Sequence, residues 1–213
     1  MASTGIRIAG FGGQGVILAG MVIGKAASIY DGKFATLTQS FGPEARGSAC
    51  SAQLIVADEP ILYPYLTEPD ILVAMSQEAH ARFAPDLKPG GLLLYEHDLI
   101  HWQEAEPEVG STGLHTAFPK AEIRRYGIPA TRLAEELGRK LVLNMVMVGF
   151  VTALAGLATP PAVRKAIADS VPTGTEKLNL AAFEKGLEFG HDLLSAPNVE
   201  AGFSQTAFCR GRV

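Results

Sequence analysis

Ile6-Arg7-Ile8-Ala9-Gly10-Phe11-Gly12-Gly13-Gln14-Gly15 decides the fold. Apolar residues alternate through Ala9, glycines interrupt them, and Val16 to Tyr30 continues with a helical period. Strand, glycine-rich turn and helix in this order open a βαβ unit. An apolar stretch over Phe34 to Thr38, after the Asp31-Gly32 break, supplies its second strand. Such units favour a parallel, right-handed crossover, so the pattern predicts a Rossmann-like α/β fold with a mainly parallel open sheet flanked by helices.

Working outward, Gln39 to Gly47 (QSFGPEARG) reads as a loop, Ser48 to Ala57 as a strand, and Ile71 to Met75 as another. A helix over Ser76 to Phe83, a Pro89-Gly90-Gly91 turn and a strand over Leu92 to Glu96 keep the βα rhythm. Asp98 to Lys120 has no strong period and is expected to form an irregular surface excursion. Glu122 to Ile128 reads as a last strand. Pro129-Ala130-Thr131 then opens a helix that Gly138 stops. Leu141 to Ala158 carries no charge and nearly matches a membrane span in length, but Asn144, Gly149, Thr152 and Gly156 suit a helix packed on all sides by protein. A short helix from Pro160-Pro161 to Ser170 and an amphipathic one from Thr175 to Leu194 follow. The expected organisation is one domain over 1–194 and a C-terminal tail or arm over 195–213.

The chain has 213 residues, 47 % hydrophobic and 19 % charged, with net charge −4. That length fills one large core. The low charged fraction hints at surface covered by partner subunits, and a negative balance without basic runs excludes nucleic acid and membrane surfaces as partners. The opening MASTGIRIAG lacks the pattern of a secretory signal, so a cytoplasmic location is expected. Cys50 and Cys209 are the two cysteines and form no cluster or zinc spacing; the five histidines show no metal spacing either. Cys50 reads as a buried small hydrophobe.

Gly10 to Gly15 fits GxGxxG between strand and helix, where backbone amides approach a phosphate at the helix N-terminus. A dinucleotide site of this kind wants an acidic residue at the end of the second strand; Thr36-Leu37-Thr38-Gln39 stands there, which weakens an NAD(P) reading. A turn whose glycines merely permit helix–strand contact stays open beside the phosphate reading. The loop after the second strand should lie near this turn, and its Arg46 is either a phosphate-binding fork or an ion-pair partner of Glu44.

GFGGQG and TQSFGPEARG, at this spacing and followed by SAQLIVAD, resemble the gamma subunits of pyruvate and related 2-oxoacid:ferredoxin oxidoreductases. The likeness continues through AMSQEA, KPGG, LLLYE and LNMVMVG, from about Gly5 to Leu187. It implies part of an enzyme that converts a 2-oxoacid and coenzyme A to an acyl-CoA, carbon dioxide and two electrons. Thiamine diphosphate, Mg and [4Fe-4S] clusters are then expected on other subunits of a hetero-oligomer, a dimer of heteromers, with this chain handling coenzyme A and supporting assembly. No catalytic and no metal-binding residue is expected here. The resemblance carries Gly12, Gly13, Gln14 and Gly15 of the first motif, and Thr38, Gln39, Ser40, Arg46 and Gly47 of the second, as coenzyme A or interface residues. Relatives act on pyruvate, branched-chain oxoacids, 2-oxoglutarate, indolepyruvate or phenylglyoxylate, and this sequence does not choose among them. The alternatives are a purely structural interface subunit and an NAD(P)-binding Rossmann protein.

Overall fold

The structure is a computed structural model that describes residues 3–41, 49–101 and 123–196. Its strands are β1 (Ser3–Phe11), β2 (Phe34–Phe41), β3 (Ala49–Ala57), β4 (Ile71–Ala74), β5 (Leu92–Glu96) and β6 (Arg124–Ile128). They form one six-stranded sheet in the order β2-β3-β1-β4-β5-β6. β1, β4, β5 and β6 are mutually parallel, while β3 runs antiparallel to both β1 and β2.

This corrects the expected βαβ unit in one respect: β1 and β2 point the same way, but β3 is inserted between them. Chain length explains it. Only residues 42–48 separate β2 from β3, which suffices for a hairpin, whereas a parallel return needs a dozen or more residues. A second correction follows from the register, in which Gln39 pairs with Ala52, Ser40 with Ser51 and Phe41 with Cys50. Gln39 and Ser40 are therefore strand residues, not the start of a loop.

The helices are α1 (Val16–Lys25, continued by one π turn to Tyr30), α2 (Gln77–Phe83), α3 (Ala130–Glu136), α4 (Leu143–Ala155), α5 (Pro160–Ala168) and α6 (Glu176–Ser195). Along the parallel strands, alternate side chains face opposite sides of the sheet. Ile6, Ile8, Val73 and Leu94 join the large core under α1 and α3–α6, while Leu72, Ala74 and Leu93 join a smaller one under α2. On the α2 face, the buried guanidinium of Arg7 pairs with Asp86 and lies 4.9 Å from the centre of the Phe83 ring. This satisfies a charge that the sheet interior would otherwise reject.

α4 is the hub of the large core. Every residue from Leu143 to Thr152 is buried, and α6 crosses it at two reciprocal glycines. A Cβ on Gly149 would overlap the Phe183 carbonyl, and one on Gly186 would overlap the Val146 carbonyl. Bare backbones thus let two helices approach more closely than side chains allow. Phe150, Phe183, Met145 and Met147 are completely or almost completely buried around this crossing, each contributing about 1.5–3 kcal/mol of apolar transfer. The centre of the uncharged stretch is accordingly covered by its own chain, while Leu141 at its start is 73 % exposed. α4 stops at Gly156, whose φ of 61° ends the helix, and no helix among the described residues is long and apolar enough to cross a membrane. Residues 102–122, the bulk of the expected excursion, and 197–213 of the expected tail lie outside the described residues.

Candidate functional site

From β1 the chain leaves through α1 on one face of the sheet; from β4 it leaves through α2 on the other. In an open α/β sheet, a ligand crevice opens where the direction of winding reverses, at the C-terminal ends of the strands. Here that point lies between β1 and β4, and the glycine-rich turn fills its rim. Gln14 stitches the two strand ends together. Its Oε1 accepts from the Phe11 amide at 2.7 Å, and its Nε2 donates to the Met75 carbonyl at 2.9 Å. Gly10 is required beneath it, because a Cβ there would overlap Gln14 Oε1. Gln14, expected as a coenzyme A or interface residue, has both amide atoms bonded within the chain and shapes the turn.

The remaining turn residues do different work. Gly13 adopts φ 100° and a Cβ on it would meet open space, so only the backbone conformation demands glycine there. Gly15 begins α1 at φ 73° with no side-chain cap, and the first turn of α1 holds no acidic residue. Against Gly15 lies Asn144, from the first turn of α4, which continues a 3-10 turn over Lys140–Val142 whose Lys140 carbonyl accepts from the Leu143 amide. Asn144 Nδ2 donates to the Gly15 carbonyl at 3.4 Å. Its Oδ1 accepts nothing among the described residues although the residue is only 3 % exposed. The N-terminus of α1 therefore opens at this turn with no side-chain cap and no acidic residue in its first turn, a field that favours an anion.

Of the second predicted group, Gln39 and Ser40 are exposed near the C-terminal end of β2, on the same edge of the sheet as the turn. With β3 between them, β1 and β2 stand about 10 Å apart. Leu37, one alternation before Gln39, packs toward Gly20 of α1, so Gln39 shares the α1 face, whereas Thr38 and Ser40 take the opposite face. Thr38 Oγ1 reaches Gln53 Oε1 at 3.4 Å. These three residues do not converge on one point. Arg46 and Gly47 lie outside the described residues; the segment that contains them joins Phe41 to Ala49, and Ala49 is in register with Phe11 at the turn.

Sequence reasoning passed over Asn144 as a functional group, although it is a polar residue in an apolar helical run. It also missed Glu96, the charged end of the strand LLLYE. Glu96 is fully buried and accepts from the Leu99 amide at 2.6 Å and the Thr131 amide at 3.1 Å, which caps α3. Burial raises its pKa, and the two amides oppose that rise. Beside it Asp98, whose partial burial works against ionisation, is held below the usual carboxylate range by the Arg132 fork at 2.7 and 2.9 Å and by His97. Burial first, and the charge of Arg125 second, lower the pKa of His80. Cys50 is buried and burial raises its thiol pKa, which suits an inert packing residue.

Residues 5–189 match the family described as pyruvate ferredoxin/flavodoxin oxidoreductase. The chain belongs to this family. It is 50 % identical to 2-oxoglutarate synthase subunit KorC of Methanothermobacter thermautotrophicus over 86 % of this chain and 93 % of the relative. It is 44 % identical to the KorC subunit of Methanocaldococcus jannaschii over 88 % of this chain and 94 % of that one. Among solved structures, the gamma subunit of a keto/oxoacid ferredoxin oxidoreductase from Geobacter sulfurreducens is similar at 36 % identity and TM-score 0.73, covering 88 % of this chain and 96 % of that one. A 2-oxoglutarate:ferredoxin oxidoreductase from Magnetococcus marinus shares the fold at 24 % identity and TM-score 0.75, over 92 % of this chain and 32 % of the longer one. The protein is thus a gamma-type subunit of a multi-subunit 2-oxoacid oxidoreductase.

Proposed function

We propose that this gamma subunit serves a 2-oxoglutarate:ferredoxin oxidoreductase and presents its glycine-rich turn to a phosphate of coenzyme A. One observation carries the reading: at the switch point of the sheet, the uncapped N-terminus of α1 and the unpartnered buried Oδ1 of Asn144 meet a turn that has no side chain at Gly12 or Gly13. Backbone amides there favour a phosphate, and Asn144 Oδ1 offers an acceptor to a ligand or water donor. Arg46, together with Gly47, is assigned to the same ligand, and Thr38, Gln39 and Ser40 to the adjoining rim or its subunit contact. The 2-oxoglutarate preference rests on the KorC relatives.

The chain's own residues bind and orient; they do not perform the redox step. Two cysteines are too few for a four-iron cluster, so the [4Fe-4S] clusters, thiamine diphosphate and Mg are assigned to partner subunits. Thiamine diphosphate supplies the decarboxylation chemistry there. Gln14 fixes the turn through its bonds to Phe11 and Met75, and Asn144 fixes Gly15.

Isothermal titration of coenzyme A into the assembled enzyme tests the reading, wild type against Gly12→Asp. A carboxylate at the start of α1 favours the helix dipole, so stability should hold while coenzyme A affinity falls. A second reading, in which the turn is purely an interface element, is favoured by Gln14 having both amide atoms bonded within the chain. Unchanged coenzyme A affinity in Gly12→Asp, with weakened assembly, selects that second reading.

A further inference from the structure

The edge of the sheet opposite the glycine-rich turn carries a different feature. Between β3 and β4 the chain runs from Asp58 to Asp70 without helix or strand, yet its base is tied down at several points. The Gly5 amide donates to Asp70 Oδ2 at 2.7 Å, and the Asp70 amide donates to the Gly5 carbonyl at 2.8 Å. Lys88 Nζ donates to Asp70 Oδ1 at 2.6 Å. The guanidinium of Arg7 reaches the Leu66 carbonyl at 3.3 Å, and the Leu66 side chain packs over Gly5, where any Cβ would collide with it. A segment anchored this way holds its shape.

What it displays is apolar. Leu62 is 92 % exposed, Tyr63 67 % and Tyr65 63 %, and the two tyrosine rings pack edge to face at 5.5 Å. They border a groove of about 510 Å³. A rigid aliphatic and aromatic cluster left in water is the composition of an interface core, and it pairs with an anchor from a partner. The rim selects the partner. Asp58, Glu59 and Glu68 are exposed and enter no ion pair among the described residues, and Lys88, the lysine of the groove, is already paired with Asp70. Two copies of this face would bring like charges together, which disfavours self-association.

We infer that the Asp58–Asp70 segment is the docking surface for a partner subunit of the same enzyme, one that inserts an apolar side chain between Leu62 and the tyrosine pair and surrounds it with lysine or arginine. Complementary charge fits the rim, and the tethered base removes the ordering entropy that a floppy loop would lose on binding. β1 spans its nine residues between this edge and the glycine-rich turn, a separation of about 25–30 Å. Assembly and coenzyme A handling therefore lie at opposite ends of one strand.

The experiment uses the enzyme co-expressed from all its subunits, with the gamma subunit's affinity for the remainder followed by analytical size exclusion and titration across a salt series. Leu62→Asp/Tyr65→Asp should raise the dissociation constant at least about a hundredfold, and Glu59→Lys/Glu68→Lys about tenfold with loss of most of the salt dependence. Because all four side chains are exposed, the circular dichroism and unfolding midpoint of each variant should match the wild type. The charge-reversal pair leaves the apolar cluster intact and reads the proposal if the first pair misfolds. Unchanged affinity in a folded variant overturns the proposal, as does a wild-type gamma homodimer that Leu62→Asp/Tyr65→Asp breaks while heteromer assembly is retained. Coenzyme A titration of whatever complex forms distinguishes this outcome from failure of the glycine-turn reading, which Gly12→Asp addresses at the other edge.

Discussion

Gly15→Ala probes the junction of the turn with α4 and separates two physical effects. The first is backbone strain: Gly15 sits at φ 73°, where an L-residue with a Cβ is disfavoured by about 1–2 kcal/mol. The second is steric, because the added Cβ would overlap the Asn144 amide and stand 2.8 Å from its Cγ and 3.2 Å from its Cβ. Asn144 is 3 % exposed and cannot swing away freely, so this overpacking adds about 1–3 kcal/mol. Gly15→Ala alone should therefore lose about 2–5 kcal/mol. Asn144→Ala alone should be mild, because it removes one long hydrogen bond of 3.4 Å and one unpartnered acceptor. In the double variant the contacts with the Asn144 amide disappear, the 3.2 Å approach to the Cβ of residue 144 stays, and the φ part remains. The cycle should show the double variant more stable than additivity by about 1–3 kcal/mol. Urea unfolding of the four proteins, followed by circular dichroism, measures it. Additive losses would refute the claim that Asn144 is what Gly15 makes room for.

Gly186→Ala should destabilise by about 1–3 kcal/mol despite a helix-propensity gain near 1 kcal/mol, because its Cβ would stand 2.8 Å from the Val146 carbonyl carbon and overlap the oxygen; a melting midpoint at or above wild type contradicts the packing. Arg46→Ala should raise the coenzyme A Michaelis constant about ten- to a hundredfold with little change for the 2-oxoacid, and no change in the former removes Arg46 from the site. Glu96, with its pKa raised by burial, is stabilised in its protonated form; that contribution is present below the unfolded pKa and lost as pH rises through the folded one. The stability advantage of wild type over Glu96→Gln should thus shrink from acid to neutral pH, and growth over that range counts against the assignment. Finally, the purified chain should reduce no acceptor dye with any 2-oxoacid until its partner subunits are added, and dye reduction by the chain alone reopens an independent-dehydrogenase reading.

Local pattern determined much of this protein from sequence alone. The period change at Gly10–Gly15 marks strand, turn and helix, and the apolar run around LNMVMVG marks a helix buried by protein, because burial period and glycine placement are properties of neighbouring residues. The motif pair TQSFGPEARG and GFGGQG also pointed to the family that the chain proved to share. Pairing between distant segments was not legible in that way. The position of β3 between β1 and β2 depends on which edges meet, although the short 42–48 connection contains the reason. That Gln14 bonds Met75 of the segment after β4 is seen only once the strands are assembled, and Asn144 looks like a tolerated polar residue until α4 sets it against Gly15. Equally, nothing in the local sequence marks Leu62, Tyr63 and Tyr65 as exposed, and only the tertiary structure leaves them in water. Exposure and partner identity are sums over the whole chain in space, which no local window of residues contains.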